Sequence, residues 1–273
     1  KRKEGTNMKY VAFLDILGFK NKLKCLSQSE AKMYIGDFSS TVYSIFQNTD
    51  SQLINGYIVS DSIIIYTNNV SEDALKALAK VVEKVCKEEF SQHGILIRGA
   101  ISKGEFDNIP AIELPHLQKQ LIVGQAYVEA YLLEDSVKTI GINLSKSVYQ
   151  DLKNSGSNLN IIEEKIKDQL QYILRYITID YLLDENNMSK FVDLAIEANW
   201  LPHYYNTLYF AMKRETNDNK VEQVFVNILN LVCDNKPSEN WRDIDSFIKN
   251  SFNDNVIDNY KVRFLKYIRK NLF

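Results

Sequence analysis

The first sustained apolar run of the chain, Tyr10-Val11-Ala12-Phe13-Leu14, ends on a single carboxylate, Asp15, before Ile16-Leu17-Gly18-Phe19. A run of that length reads as a buried strand, and an acid that closes it needs a partner. Over residues 29–47, Ala31, Met33, Tyr34, Phe38, Val42, Ile45 and Phe46 recur at helical spacing. The polar cluster 48–51 is a turn. Residues 52–59 and Ser62–Thr67 then read as a hairpin with Ser60-Asp61 at its tip. Ser71 opens a second helix, with Glu72 and Asp73 in its first turn to suit the dipole. Residues 94–104 are strand-like and carry one charge, Arg98, inside an apolar run. Residues 106–120 contain Pro110 and Pro115 and read as a loop. A short apolar piece at Leu121–Gly124, a helix at Gln125–Glu134 and a strand at 138–143 complete the order β-α-β-β-α-β. That order predicts an α+β fold, a ferredoxin-like sheet with helices on one face.

From about residue 144 the pattern changes. Helical spacing dominates, and the connectors at 154–160, 184–187, 217–219 and 253–255 are rich in Asn and Asp. Residues 172–181 read as one more strand. Helices are expected at about 188–213, 219–234, 239–251 and 256–271. The chain therefore divides, on this reading, into a sheet domain over 8–145 and a mostly helical extension over 146–273 packed on it. No Gly/Pro-rich linker separates the two.

Composition narrows the class. The 273 residues are 45% hydrophobic and 25% charged, enough for a sizeable core in one or two domains. A net charge of −2 supplies no broad basic field for duplex nucleic acid. Cys25, Cys86 and Cys233 are dispersed and odd in number, which suggests reduced thiols in a cytoplasmic protein. His93, His116 and His203 are equally scattered and argue against zinc. No apolar run approaches the ~20 residues of a membrane helix. The polar residues 1–7 precede Met8 and read as a frayed or appended end.

The chemistry-bearing residues lie at the interruptions of this pattern. Asp15 closes the first strand, and the amides of Ile16, Leu17, Gly18 and Phe19 open the next helix, where they could hold phosphate oxygens. Asp61 lies at the hairpin tip, beside the end of the first strand in this topology. Two carboxylates at adjacent strand ends suit Mg²⁺ or Mn²⁺ completed by substrate phosphates. Asp15 as a simple helix cap is the competing reading. Arg98 fits phosphate by its fork of donors and fits a structural ion pair equally well. Lys20 and Lys103 are weaker candidates, since surface lysines are usually just solvated.

Phe13-Leu14-Asp15-Ile16-Leu17-Gly18-Phe19 resembles the first metal motif of class III nucleotidyl cyclases. Ser60-Asp61-Ser62 resembles their hairpin metal motif, in which a glycine usually precedes the acid. Residues 98–104 resemble the strand that follows, and 124–134 the helix that carries the transition-state residues. The resemblance covers about residues 9–145. Its wording is nearest the bacterial pyrimidine cyclases of Pycsar anti-phage systems. It implies conversion of UTP or CTP to the 3′,5′-cyclic monophosphate and pyrophosphate, on two Mg²⁺ or Mn²⁺ ions held by Asp15 and Asp61. It also implies a homodimer with composite sites, and a second-messenger product that acts on a separate effector. Two departures stand out. Tyr57 and Leu121 occupy the places where purine cyclases read the base, so Tyr57 is expected to face a pyrimidine. Val128 and Leu132 occupy the places of the transition-state Asn and Arg, so Arg98 is expected to supply the missing cation. Two rival readings stay open. One is a purine cyclase with unfamiliar base readers. The other is a catalytically degenerate cyclase-fold module that binds nucleotide or a partner, which Val128 and Leu132 favour.

Overall fold

The computed structural model describes residues 7–109, 121–166, 168–198 and 202–212, and beyond them 215–217, 219–221, 223, 224, 227, 228 and 231. The elements run β1 (Met8–Ile16), α1 (Phe19–Cys25), α2 (Gln28–Gln47), β2 (Ile54–Val59), β3 (Ser62–Thr67) and α3 (Glu72–Glu88). A π-helical turn, Glu89–His93, follows. Then come β4 (Ile97–Glu105), β5 (Asp107–Ile109), β6 (Leu121–Val123), α4 (Gln125–Glu134), β7 (Ile142–Leu144), α5 (Lys146–Asn154), β8 (Ile161–Ile166), β9 (Gln169–Leu174), α6 (Ile179–Leu182), α7 (Glu185–Glu197) and α8 (Pro202–Met212).

Seven strands form one sheet in the order β2-β3-β1-β4-β7-β9-β8, and β5 and β6 pair separately. β1 lies between β3 and β4 and is antiparallel to both. Val11, Ala12 and Leu14 on it are fully buried. Truncating Leu14 to alanine costs about 2–5 kcal/mol. Cross-strand neighbours share a face. The rows Val59–Ser62–Asp15–Arg98 and Tyr57–Ile64–Phe13–Ala100 therefore lie on one side of the sheet. α4 packs on that side, burying Ala126 and Ala130 with Val11, Phe13, Ile64, Tyr66, Ala100 and Phe106. Tyr10, on the other face, donates a 2.8 Å hydrogen bond to Asp151 of α5. α5 packs on α3, and α3 on α2. Both faces are thus covered, not one as the strand order suggested. The reason is local: α4 follows the β5–β6 excursion, which returns the chain to the opposite side of the sheet.

Caps follow the sequence. Ser27 and Glu30 form a capping box on α2, and the Ser71 hydroxyl accepts from the Ala74 amide on α3. Gly124 enters α4 at φ 147°, and a Cβ there would stand 2.1 Å from the Glu105 carbonyl oxygen. Near the start of β4, the buried Tyr176 phenol takes the place of a neighbouring strand. It accepts from the Ile97 amide at 3.1 Å and donates to the Ile97 carbonyl at 2.7 Å.

Downstream the pattern reading needs correction. The strands β8 and β9 pair with each other, and Ile179 begins a helix where a strand was expected to continue to 181. Of the strand expected at 138–143, only Ile142 and Asn143 pair, within β7. The single helix expected at 188–213 is two, because Pro202 occupies the first turn of α8, where its missing N–H costs nothing. The helices expected at 239–251 and 256–271, most of that at 219–234, and residues 110–120 lie outside the described residues.

Contacts divide the chain into two units. The first comprises residues 1–137, 141–165 and 169–176, so the boundary expected at 145 falls inside it, between β7 and α5. The second comprises 138–140, 166–168 and 177–273. Within it Phe191 meets Tyr204 edge-on at 5.4 Å, and the Thr207 hydroxyl accepts from the Ile140 amide at 2.8 Å.

Candidate active site

β1 and the β2–β3 turn bring the two predicted carboxylates together. The Ile16 amide donates to the Asp61 backbone carbonyl at 3.1 Å, so the hairpin tip is stitched to the end of β1. Ser60 adopts φ 58°, a conformation that favours glycine, and this is the place where the resembling motif has one. Asp15 is half-buried, and the Ser62 hydroxyl donates to its Oδ1 at 3.1 Å. Burial pushes the Asp15 carboxyl above its ordinary value. Ser62 opposes that, Asp61 adds to it, and Arg98 opposes it. The donors gathered here are all hard oxygens, which fits Mg²⁺ or Mn²⁺. Among the described residues no group of three or more His, Cys, Asp and Glu could hold a metal. A small hard cation held by Asp15 and Asp61 would therefore need further oxygens, such as substrate phosphates, to complete its shell.

Arg98 faces Asp15 directly across the β1–β4 ladder. Its Nη2 lies 3.5 Å from Asp15 Oδ2, its Nε 2.5 Å from Glu134 Oε1 and its Nη1 3.3 Å from Asp135 Oδ1. The lone charge of the sequence thus has three carboxylate neighbours. Glu134 and Asp135 were not singled out from the sequence. Their signal was present, because two acids at the C-terminal end of an apolar helix oppose its dipole.

The proposed phosphate cradle is narrower than the sequence suggests. The Ile16 amide bonds Asp61, and the Leu17 amide donates to the Leu96 carbonyl at 2.8 Å, so neither is available to an anion. Gly18 and Phe19 remain, at the head of a helix of only seven residues. Phe19 stacks on Tyr34 at 6.3 Å between ring centroids, which ties this corner to α2.

Tyr57 lies on the same face, two positions along the hairpin from the Asp15 row. It is partly buried and stacked on Tyr66 at 5.6 Å, with the two hydroxyls 3.1 Å apart. Tyr66 in turn packs on Phe106 at 4.8 Å, and Lys9 Nζ sits 4.9 Å above the Tyr66 ring. The side chain of Leu121 lies outside the described residues. Val128 and Leu132 on α4 are 53% and 67% exposed, beside Tyr131 at 55%. Lys103 is engaged on the far side of the sheet, 2.7 Å from Asp151.

A central antiparallel sheet, a β2–β3 hairpin bearing an acid beside the end of β1, and α4 on the same face together make the class III nucleotidyl cyclase fold. The guanylate cyclase domain of RhGC from Catenaria anguillulae, solved in complex with GTP, matches with a TM-score of 0.50 at 15% identity, covering 62% of this chain and 97% of that one. The adenylyl cyclase CyaB from P. aeruginosa matches with a TM-score of 0.49 at 16% identity, covering 62% of this chain and 93% of that one. No protein-family model and no curated protein matches the sequence. The likeness to the guanylate cyclase domain, at 15% identity, shows the fold alone, and the chemistry rests on the residues. Among the described residues no helix is long and apolar enough to cross a membrane.

Proposed function

We propose that the protein is a nucleotidyl cyclase that converts UTP or CTP to the 3′,5′-cyclic monophosphate and pyrophosphate. The observation that carries this reading is the pairing of Asp15 and Asp61 at adjacent strand ends, tied by the Ile16–Asp61 bond, with Arg98 beside them. In the reaction the ribose 3′-oxygen bonds the α-phosphorus as the α–β bridging bond breaks. The hydroxyl proton goes to solvent, and pyrophosphate leaves with the electron pair. Mg²⁺ or Mn²⁺ held by Asp15 and Asp61 would lower the pKa of that hydroxyl and neutralise triphosphate charge. Arg98 is the guanidinium of the site, forked and permanently charged, and is assigned to the developing phosphate charge. With the Ile16 and Leu17 amides occupied, any backbone contact to phosphate falls to Gly18 and Phe19.

Tyr57 is assigned to the base. A phenol on the hairpin fills space that a purine would need and keeps one hydroxyl for a pyrimidine edge. A second copy of the chain is assigned to the exposed α4 surface of Val128, Tyr131 and Leu132, since apolar groups in that number on one helix call for a cover. The setting that fits the composition is the cytoplasm, with the product acting as a second messenger on a separate effector in anti-phage defence.

One observation favours a second reading. Val128 and Leu132 cannot donate hydrogen bonds, which suits a module that binds nucleotide without turnover. Incubation with each of the four nucleoside triphosphates and Mn²⁺, followed by mass analysis, tests all of this. Cyclic UMP or cyclic CMP is the expected product. Cyclic AMP or cyclic GMP as the main product refutes the pyrimidine assignment. Bound but unconverted nucleotide establishes the module.

A further inference from the structure

Arg98 joins three elements, and its contacts are unequal. The contact to Glu134 is 2.5 Å, and Glu134 is only 6% exposed. The contact to Asp15 is 3.5 Å and that to the exposed Asp135 is 3.3 Å. Ion-pair attraction weakens with distance and with access of water. Arg98 is therefore seated on Glu134 and reaches out to Asp15. The dipole of its own helix disfavours the Glu134 charge. It lies in the last turn of α4, against the negative end of the dipole, and that turn holds no basic residue. Arg98 offsets Glu134, Asp135 and the helix end together. The backbone beneath is pinned independently, because Asn143 Nδ2 donates to the carbonyls of Leu133 and Glu134 at 2.9 and 3.1 Å. Arg98 can thus release Asp15 without losing its seat.

A guanidinium and a divalent cation cannot share the Asp15 carboxylate without repulsion. We propose that Glu134 is a positioning residue: it holds Arg98 on a second carboxylate, so that Asp15 exchanges the guanidinium for a divalent cation while Arg98 stays within the site. The proposal rests on the cyclase reading and adds to it the residue that keeps the arginine in place during the exchange. It also gives opposite signs to two neighbouring substitutions. Arg98→Gln removes the competing cation from Asp15. Glu134→Gln removes the alternative seat and leaves Arg98 leaning on Asp15.

The test is Mn²⁺ binding to the full chain, read from the electron paramagnetic resonance signal of free Mn²⁺. The probe is Mn²⁺ with 3′-deoxy-UTP, which keeps the triphosphate and lacks the hydroxyl that closes the ring. Arg98→Gln is expected to tighten Mn²⁺ binding, and Glu134→Gln to weaken it, each by about threefold to tenfold, within the lower half of what coupled neighbours show. The double variant should follow Arg98→Gln, because without the guanidinium Glu134 has nothing to hold. Glu134→Asp should restore most of the loss. Circular dichroism melts identify any variant that fails to fold. For such a position Arg98→Lys or Glu134→Asp replaces it, with the same order expected at smaller size. Equal or same-direction shifts from Arg98→Gln and Glu134→Gln overturn the proposal. An Asp61→Asn variant that binds Mn²⁺ as the wild type does overturns the metal assignment itself, which is a different failure.

Discussion

Asp61→Asn removes the charge assigned to the metal and leaves the side-chain volume nearly unchanged. Turnover should fall by at least about a hundredfold at saturating Mn²⁺, while the melting curve stays put. Unchanged turnover in that variant would remove the metal role. Tyr57→Phe deletes only the hydroxyl that meets Tyr66 at 3.1 Å, and Tyr57→Ala deletes the wall. Loss of one hydrogen bond to the base costs roughly 1–3 kcal/mol, so discrimination should drop by about one to two decades with Phe and further with Ala, read as relative rates on UTP and ATP. Ser60→Gly should stabilise the chain by about 1 kcal/mol in urea unfolding, because it relieves a positive φ that a Cβ disfavours. Asp15, Asp61 and Arg98 were legible in the sequence because each is a charge that interrupts an apolar pattern. The occupied amides of Ile16 and Leu17 were not legible, since their acceptors, the Asp61 and Leu96 carbonyls, come from other segments of the chain.

At the scale of elements, the π-helical turn Glu89–His93 buries a carboxylate completely. Burial first, opposed by the Thr41 hydroxyl and reinforced by Asp37 and Glu88, pushes Glu89 up to about 8. The folded chain then keeps a proton that the unfolded chain gives up above about pH 4.3. Stability is fully present below that value. It falls as pH rises toward about 8, with a slope of at most about 1.4 kcal/mol per pH unit, and levels off beyond. Glu89→Gln should remove that slope. Urea unfolding at about pH 5 and about pH 8 should show the variant gaining on the wild type at the higher value. A gap that does not change with pH would show that Glu89 stays ionised. The helix Gln125–Glu134 could be read from the sequence to the residue, because a glycine precedes it and most of its residues are strong helix formers. β8 could not, because Glu163 and Glu164 stand side by side and hide the alternation of a strand.

At the scale of the whole molecule, the exposed apolar surface of α4 predicts self-association. Light scattering at micromolar concentration should give twice the 31.6 kDa chain mass. Leu132→Glu should return it to one, since a charge in a covered apolar contact is costly. A strictly monomeric chain that still turns over nucleotide would remove the composite site.

Tyr176 sets an order of events during synthesis. The strand carrying Arg98 begins at Ile97, and both polar groups of that residue are satisfied by a phenol 79 positions further on. Until the ribosome has released that tyrosine, the start of β4 has open backbone groups and the Asp15 end of the sheet is incomplete. Closure over so long a loop is slow compared with the neighbouring hairpins. A nascent chain halted at residue 145 should therefore remain protease-sensitive around Ile97, and one halted far enough beyond residue 176 for Tyr176 to have left the ribosome should not.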